Sequence, residues 1–278
     1  MIHFKDVTYR YPRADDPVFS ELNLEIPEGQ FCAVLGANGA GKSTLCYMIS
    51  GFIPHFYRGQ LSGEIEVAGI DVQGTDLADL SGVVGLVFAN PFNQITGAKF
   101  TVRDEIAFGL ENTGVPREEM EERIEQTLSV TGLNGLEDRS PFALSGGQQQ
   151  RLAIASVLAM QPDVLVLDEP TAQLDPDGAR DLFDLLRRLT EREETTVVLA
   201  GHRVELAAQF ADRALILAQG GIVADGSPRE LLAAGDLQAH GVAPTRYTQV
   251  ARRAQEQGLV DSRRQLPVTL EQAVHFFQ

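Results

Sequence analysis

The sequence has few cysteines, no excess of positive charge and no long apolar run. Its 278 residues contain 23 Lys and Arg against 39 Asp and Glu, a net charge of −16, which argues against nucleic acid as a partner. No apolar run reaches the roughly 18 residues needed to span a bilayer, and no signal-like segment follows Met1. The two cysteines, Cys32 and Cys46, are expected to be free thiols in a reducing compartment, so we expect a cytoplasmic protein.

Short apolar strands alternate with amphipathic helices, which predicts an α/β fold with a largely parallel core sheet. Continuous apolar runs at 31–35 and 164–167 are typical of strands covered on both faces. Strands at 2–11, 22–26 and 65–67, with no long helix between the first two, predict an antiparallel flap. Further strands are expected at 83–88, 195–199 and 214–217.

Helix signals suggest how the chain is divided. Pro116 opens an acidic helix, Asp175 caps a helix that begins at Pro176, and residues 227–230 form a capping-box pattern. We predict a core domain over residues 1–235 and a small helical extension over residues 236–278. The last 39 residues carry five Arg against three acidic residues, so the acidity lies in the core. The extension would contact lipid headgroups or, as we favour, form a dimerisation or solvated face. Its helices are expected at 245–257 and 269–277.

A glycine-rich segment follows the apolar run at 31–35. Residues 36–43, Gly-Ala-Asn-Gly-Ala-Gly-Lys-Ser, fit the P-loop pattern between a buried strand and a helix. The glycines let several backbone N–H groups point at one anion, and the helix dipole strengthens that field. Lys42 would reach the β- and γ-phosphates, and the Ser43 hydroxyl would ligate Mg²⁺. The predicted nucleotide-binding residues are Gly36, Asn38, Gly39, Gly41, Lys42, Ser43 and Thr44.

Two carboxylates follow the apolar run at 164–167. Asp168 and Glu169 stand at the carboxyl end of that predicted strand, where parallel α/β sheets bind ligands. A P-loop protein needs an acidic residue to hold Mg²⁺, so Asp168 is predicted to do so together with Ser43. Glu169 can then orient and deprotonate water as a general base. A simple polar turn is the alternative interpretation, which the P-loop in the same chain makes weaker.

A second glycine-containing helix start lies at residues 144–148, Leu-Ser-Gly-Gly-Gln. A serine would cap a helix predicted over 149–160, and paired glycines expose amides for the close approach of an anion. Because the P-loop already supplies one phosphate cradle, we expect this motif to contact nucleotide bound by a second chain in a head-to-tail pair. Taken alone, an ordinary capped helix would explain the same pattern. The residues involved are Ser145, Gly146, Gly147 and Gln148.

Residues 144–148 resemble the signature of the ATP-binding-cassette (ABC) ATPases, and motif order and spacing agree with that family over residues 1 to about 235. The resemblance implies a P-loop NTPase of the ABC ATPase fold, with a parallel core sheet, an antiparallel β flap, a helical subdomain and a small C-terminal helical extension. It also implies an ATP-hydrolysing enzyme that uses Mg²⁺.

Three more residues match functional positions of that family. Tyr11 matches the aromatic residue that stacks on adenine, Asp175 the D-loop aspartate at the dimer contact, and His202 the switch histidine that contacts the γ-phosphate. Alternatively, Tyr11 faces the core and His202 is simply solvated. Asp175 would cap the next helix, a role that is compatible with the dimer contact. By this resemblance the catalytic residues are Glu169 and His202.

Other segments resemble the ATPase subunits of energy-coupling-factor importers. In that family two ATPases, identical or paralogous, drive a shared transmembrane subunit that works with a substrate-capturing membrane protein. The cargo is a vitamin, a vitamin precursor, or cobalt or nickel ions. The resemblance implies a peripheral protein at the cytoplasmic face of the cell membrane. The matching segments are residues 90–94, residues 101–109, Gly241, Pro244, Gly258 and residues 267–271.

One residue departs from the family pattern. The family places a glutamine after the strand at 83–88, where it senses Mg²⁺ and the attacking water, whereas this sequence has Ala89. Gln94, later in the same loop, is the candidate substitute. We therefore expect slow but real hydrolysis.

Alternative functions leave more of the sequence unexplained. A soluble ABC ATPase of translation or DNA repair usually carries two cassettes or a long coiled coil, whereas this sequence has one cassette and no sustained heptads. A P-loop kinase acting on small molecules leaves residues 145–147 without a role. An ABC transporter of another class remains open.

Overall fold

The computed structural model of the protein describes residues 1–234 and 237–278. Within them, two sheets and several groups of helices are formed. The strands are β1 (Ile2–Arg10), β2 (Phe19–Ile26), β3 (Phe31–Gly36), β4 (Gln60–Val67), β5 (Ile70–Asp71), β6 (Val84–Val87), β7 (Val164–Asp168), β8 (Thr196–Ala200), β9 (Arg213–Ala218) and β10 (Gly221–Gly226). The α-helices are α1 (Lys42–Ile49), α2 (Phe52–His55), α3 (Leu77–Leu80), α4 (Val102–Asn112), α5 (Arg117–Thr131), α6 (Gly146–Leu158), α7 (Pro176–Glu193), α8 (Val204–Phe210), α9 (Pro228–Ala234), α10 (Arg246–Glu256) and α11 (Leu270–Phe277).

The smaller sheet is antiparallel, with the strand order β2–β1–β4–β5, which confirms the predicted flap. β2 and β4 begin earlier than predicted because they pair along the length of β1. Tyr9 of β1 pairs with both Phe19 and Leu61. β1 itself ends at Arg10, so Tyr11 lies just beyond the strand, whereas the sequence predicts a position within it.

The larger sheet has the strand order β10–β9–β3–β8–β7–β6. All its pairings are parallel except that between β9 and β10, so the prediction of a largely parallel sheet is confirmed. β3, β6, β7 and β8 are buried along their whole length, as strands covered on both faces must be. The edge strand β10 is partly exposed and its apolar run is only three residues, Ile222 to Ala224, flanked by glycine and aspartate, which explains why the sequence does not predict it.

Helices cover both faces of the larger sheet. Val34 and Val166 pack on the face that carries α1 and the flap. Phe31 and Leu165 point to the opposite face, where α7 packs and the rings of Phe31 and Phe183 are 5.8 Å apart. Helices α4, α5 and α6 form a further apolar cluster, which corresponds to the predicted helical subdomain.

The helix signals at Pro116 and Asp175 agree with the structure. α5 begins directly after Pro116, and the Asp175 side chain accepts a hydrogen bond from the Gly178 N–H at 2.8 Å at the start of α7. At α9 the Glu230 N–H donates to the Ser227 hydroxyl at 3.3 Å, which is one of the two bonds of a capping box.

The C-terminal helices pack directly on the core. α10 and α11 agree with the predicted spans to within one residue at each end. Val242 and Val268 are buried in one apolar cluster with Leu35 of β3 and Ile216 of β9. The predicted boundary between residues 235 and 236 lies outside the described residues.

Both cysteines are free and buried, Cys32 in β3 and Cys46 in α1. Burial raises the pKa of the Cys32 thiol to about 12 and the pKa of Cys46 well above its ordinary value. Both thiols are therefore protonated at neutral pH, as inert core residues.

In the part of the chain that the structure describes, we find no helix with both the length and the apolar character that crossing a bilayer requires.

Candidate functional site

Three loops meet at one edge of the larger sheet. β3, β8 and β7 are neighbours and parallel, so their carboxyl ends lie side by side. The P-loop follows β3, Glu169 follows β7, and His202 follows β8. The sheet order thus brings together segments that lie far apart in the sequence.

Two P-loop glycines occupy positions that exclude a side chain. Gly36 has a φ of 154°, and a Cβ there would lie 2.5 Å from the Leu217 carbonyl oxygen. Gly41, with a φ of 98°, precedes α1, and a Cβ there would lie 2.7 Å from the buried ring of Phe19. The loop can therefore curl tightly against the core, which leaves its backbone free to surround an anion.

The Lys42 side chain lies inside the curl of the P-loop and is only 5% exposed. Its Nζ donates to the carbonyl oxygens of Gly36 and Ala37, each at 3.2 Å. It also lies 3.6 Å from Glu169 Oε1. A buried ammonium group needs such partners, since removing a charge from water costs several kcal/mol.

His202 joins the P-loop to the predicted general base. Its Nε2 lies 3.0 Å from Glu169 Oε1, 3.0 Å from Asn38 Oδ1 and 3.3 Å from Lys42 Nζ. A protonated Nε2 donates to one of the two oxygens, whereas an unprotonated Nε2 accepts from Lys42. The protonation of this one nitrogen therefore decides whether His202 bonds to the carboxylate or to the lysine.

Glu169 has an unusual backbone conformation. Its φ of 49° lies in the left-handed region, which costs a non-glycine residue about 1 kcal/mol. Its N–H donates to the Ala200 carbonyl oxygen at 2.8 Å, which fixes the turn after β7 to β8. This strained turn directs the carboxylate to His202 and Lys42.

Asp168 and Ser43 fit a magnesium ion. The Asp168 carboxylate is 3% exposed, and its Oδ1 has no hydrogen-bond partner in the described residues. Burial raises the pKa of Asp168, and a hydrogen bond from Ser43 offsets this only in part. A buried, incompletely bonded carboxylate beside a hydroxyl provides hard oxygen ligands, and Mg²⁺ takes few of these from protein and the rest from phosphate and water.

A metal ion can also be held entirely by a cluster of protein side chains. Among the described residues no group of three or more His, Cys, Asp or Glu side chains is arranged to hold a metal ion. The oxygens of Asp168 and Ser43 are two candidate ligands, and phosphate and water would have to supply the rest of the shell of a Mg²⁺ ion.

Tyr11 lies beside the first turn of α1. Its hydroxyl is 3.2 Å from the Thr44 hydroxyl, and its ring packs edge-on against Tyr9 with centroids 4.9 Å apart. Burial raises the pKa of the Tyr11 hydroxyl. The ring is half-buried, so part of it packs on the core while the rest remains open beside the helix that follows the P-loop.

The signature segment begins α6 at Gly146, so the predicted helix start at residue 149 is wrong, and the helix ends at Leu158 before the predicted residue 160. The reason is a complete capping box. The Gln148 N–H donates to the Ser145 hydroxyl at 3.3 Å, and the Ser145 N–H donates to Gln148 Oε1 at 3.0 Å. The cap leaves the first-turn amides of Gly146 and Gly147 without intrahelical acceptors.

The same segment packs against the loop between β7 and α7. A Cβ at Gly146 would lie 3.4 Å from the Gln173 amide oxygen, and one at Gly147 would lie 3.5 Å from the Gln173 carbonyl oxygen. Asp175, two residues later, caps α7. The two predicted dimer-contact segments therefore form one continuous surface within a single chain.

Gln94 does not point freely into the loop that carries Ala89. Its Oε1 accepts from the Phe88 N–H at 3.3 Å, and its Nε2 donates to the Ala153 carbonyl oxygen at 3.0 Å. The side chain connects the end of β6 to α6, the signature helix. The sequence does not predict this connection, because no local pattern identifies Ala153 as the partner of Gln94.

The sequences of known proteins identify the family of this chain. The model of the ABC transporter family matches residues 19–172, which include the P-loop, the signature and the Asp168–Glu169 pair. This chain belongs to the ABC transporter family. It is similar to proteins provisionally named ABC transporter ATP-binding proteins in Caldanaerobacter subterraneus (43% identical over 99% of this chain) and Pyrococcus horikoshii (40% identical over 94%). This chain covers 47% of the first relative, so it spans about half of that protein, and 92% of the second.

Solved structures show the same ABC ATPase fold. CbiO1 from Clostridium perfringens, part of the ABC transporter complex CbiONQ, is 29% identical with a TM-score of 0.74, over 92% of this chain and 94% of that one. The cassette MJ0796, a dimer in a post-hydrolysis state with ADP and Pi, is 29% identical with a TM-score of 0.72, over 83% of this chain and 100% of that one. The predicted ABC ATPase fold is confirmed.

The burial of Asp168 makes its replacement informative. Because burial raises the pKa of Asp168, ionisation of this carboxyl lowers the stability of the folded protein. The loss of stability is complete above the folded-state pKa and absent below the ordinary value of 3.8. We expect Asp168→Asn to stabilise the nucleotide-free protein at pH 7 by about 1 kcal/mol, less as the pH falls through that window, and to lose the Mg²⁺-dependent part of nucleotide binding. Thermal unfolding and calorimetry with and without Mg²⁺ measure both effects.

Asp163→Asn is the matched control, because Asp163 is exposed just before the other end of β7. It should change neither quantity. A less stable nucleotide-free Asp168→Asn protein, or one with normal Mg²⁺ dependence, would contradict the role of this carboxylate.

Proposed function

We propose that this cassette binds and hydrolyses ATP to drive an importer in the membrane. The observation that carries the proposal is the single cluster made by Lys42, Glu169 and His202 at the edge of the parallel sheet. A phosphate-binding cation, a general base and a γ-phosphate sensor are the groups that ATP hydrolysis requires, and here they lie within hydrogen-bonding or ion-pair distance of one another.

In this mechanism each group of the chain has a defined task. The P-loop amides and Lys42 hold the phosphates, and Lys42 gives up contacts with its own loop carbonyls to do so. Asp168 and Ser43 would hold Mg²⁺, which would neutralise charge on the phosphate oxygens. Glu169 accepts a proton from the attacking water, and His202 exchanges its bond with Glu169 for one to the γ-phosphate. Tyr11 offers the open part of its ring to adenine.

The proposed working unit is a head-to-tail pair of cassettes. The signature helix presents two first-turn amides at the surface beside Gln173, and such amides bind anions. The P-loop of the same chain already has its own set. A nucleotide held between the P-loop of one chain and the Ser145 segment of the other would be bound by both sets of amides. The dimeric ADP-bound relative supports this arrangement. The second cassette is identical or paralogous.

Within the transporter family we favour the energy-coupling-factor type. The segments around Asn90 and Thr101 resemble those ATPases, and the similarity to CbiO1 extends over most of both chains. The cassette would then sit at the cytoplasmic face of the membrane on an integral membrane subunit, with a substrate-binding membrane component, and import a vitamin, a vitamin precursor, cobalt or nickel. Residues 236–278 are proposed as a C-terminal helical extension of this cassette, packed on its core through Val242 and Val268. Another class of ABC transporter is the alternative.

The base is tested by Glu169→Gln, which keeps the shape of the side chain and removes its ability to accept a proton. We expect ATP binding to persist, turnover to fall by at least about 100-fold, and MgATP to hold the variant as a dimer. ATPase assays and size-exclusion chromatography measure these outcomes. As a control, Ser145→Arg in the same background should keep ATP binding and lose the dimer. Undiminished turnover in Glu169→Gln would exclude Glu169 as the base.

The transport role is tested in cells that naturally contain this chain. Glu169→Gln with an affinity tag, extracted in detergent with MgATP, should retain an integral membrane protein identifiable by mass spectrometry. The Lys42→Ala variant should retain less, because it binds nucleotide poorly. Recovery of translation factors or DNA-repair proteins in place of a membrane subunit would favour a soluble ABC ATPase.

The loop at Ala89 should control the basal rate. A methyl group cannot ligate Mg²⁺ or orient water, so we expect Ala89→Gln to raise basal ATPase activity about tenfold and to reduce its dependence on the membrane subunit. Ala89→Ser, without an amide, is the control.

Because the Gln94 side chain is hydrogen-bonded to Phe88 and Ala153, Gln94→Ala should lower partner-stimulated activity more than basal activity. Loss of all turnover in Gln94→Ala, with no effect of Ala89→Gln, would instead make Gln94 the substitute amide.

A further inference from the structure

The C-terminal extension touches the P-loop at Gly241. This glycine follows the short 3-10 turn Leu237–His240 and has a φ of 75°. A Cβ added there would lie 2.6 Å from the Cβ of Ala37, 2.9 Å from its Cα and 3.1 Å from its backbone nitrogen. Gly241 therefore lies directly against the backbone of the second P-loop residue, and no side chain fits between the two segments.

Ala37 supports the groups that face the phosphates. Its carbonyl oxygen accepts from Lys42 Nζ at 3.2 Å, and the next residue, Asn38, has its Oδ1 3.0 Å from His202 Nε2. On its other side, Gly36 is packed against the Leu217 carbonyl oxygen. A displacement of Ala37 would therefore move an acceptor of the lysine and the partner of the histidine together.

The segment that carries Gly241 is firmly held. Its neighbour Val242 is 3% exposed and belongs to the same apolar cluster as Leu35, which directly precedes the P-loop. Arg246 also bonds to Glu205 of α8 at 3.0 Å, but its side chain is 73% exposed, and such surface pairs contribute little. Apolar burial therefore fixes the position of Gly241 relative to the P-loop.

We propose that Gly241 is a positioning residue of the nucleotide site, which sets where the P-loop backbone lies and thereby how tightly MgATP binds. This inference rests on the proposed function. The main effect falls on binding, since Ala37 holds Lys42, which binds the phosphates. The catalytic residues Glu169 and His202 are carried by the loops after β7 and β8, outside the displaced segment. The extension is in this respect part of the nucleotide site.

The test compares two glycines of the extension. Gly258 also follows a helix end and has a φ of 71°, but a Cβ there would meet no atom within 4 Å. Both Gly→Ala variants carry the same left-handed strain, and only Gly241→Ala adds the contact with Ala37. We expect Gly241→Ala to raise the Kd and KM for MgATP about tenfold with kcat within about twofold, and Gly258→Ala to match the wild type.

A second substitution separates positioning from a general loss of stability. In the Ala37→Gly background, Gly241→Ala no longer makes the 2.6 Å contact between Cβ atoms and keeps only the contact with the Cα. Gly241→Ala should therefore raise the Kd by a smaller factor in that background than in the wild type. If Gly241→Ala does not fold, Val242→Ala loosens the same segment without a clash and should also raise the Kd. Exposed Val250 in α10 provides its control as Val250→Ala.

The outcomes distinguish this proposal from the function on which it rests. If the wild-type chain binds no MgATP by calorimetry, the proposed function fails. If the wild type binds MgATP while Gly241→Ala and Gly258→Ala have equal Kd and KM, the positioning role of Gly241 is overturned. That role is also overturned if Gly241→Ala raises the Kd by the same factor in the Ala37→Gly background, or if Val242→Ala and Val250→Ala have equal Kd values.

Discussion

The arrangement of the site depends on one buried charge, the ammonium group of Lys42. So little of this side chain reaches water that its charge is tolerated only with acceptors around it. The P-loop supplies two carbonyl oxygens by curling back on itself, which its glycines permit, and Glu169 supplies a carboxylate from the loop after β7. The groups that would act on a nucleotide are thus assembled around a cation before any nucleotide arrives.

Local patterns predict the parts of the site that local chemistry determines. The P-loop and the carboxylate pair after β7 are each defined within a few residues, and the structure places both at the same sheet edge. The predicted start of α6 is wrong because two glycines argue against helix, whereas the mutual bonds of Ser145 and Gln148 stabilise that first turn. β10 is not predicted because a partly exposed edge strand needs only a short apolar run, here Ile222 to Ala224.

Contacts between distant parts of the chain cannot be predicted in this way. His202 meets Asn38 only because β8 lies next to β3, and strand order is a property of the whole sheet. The catalytic role of His202 is predicted only from the resemblance to ABC ATPases, because the residues around it favour a solvated side chain. Gln94 is conspicuous in the sequence for its amide, but its bond to Ala153 depends on how α6 packs beside β6.

The burial of both native thiols has a practical consequence for following motion in this cassette. Only a thiolate reacts readily with maleimides and similar reagents, and burial raises the pKa of both Cys32 and Cys46. A single cysteine introduced on the surface away from the nucleotide site, for instance at exposed Ser129 in α5, would be labelled against a silent background. Fluorescent or spin probes could therefore be attached to an otherwise unaltered chain, with no need to rebuild its core.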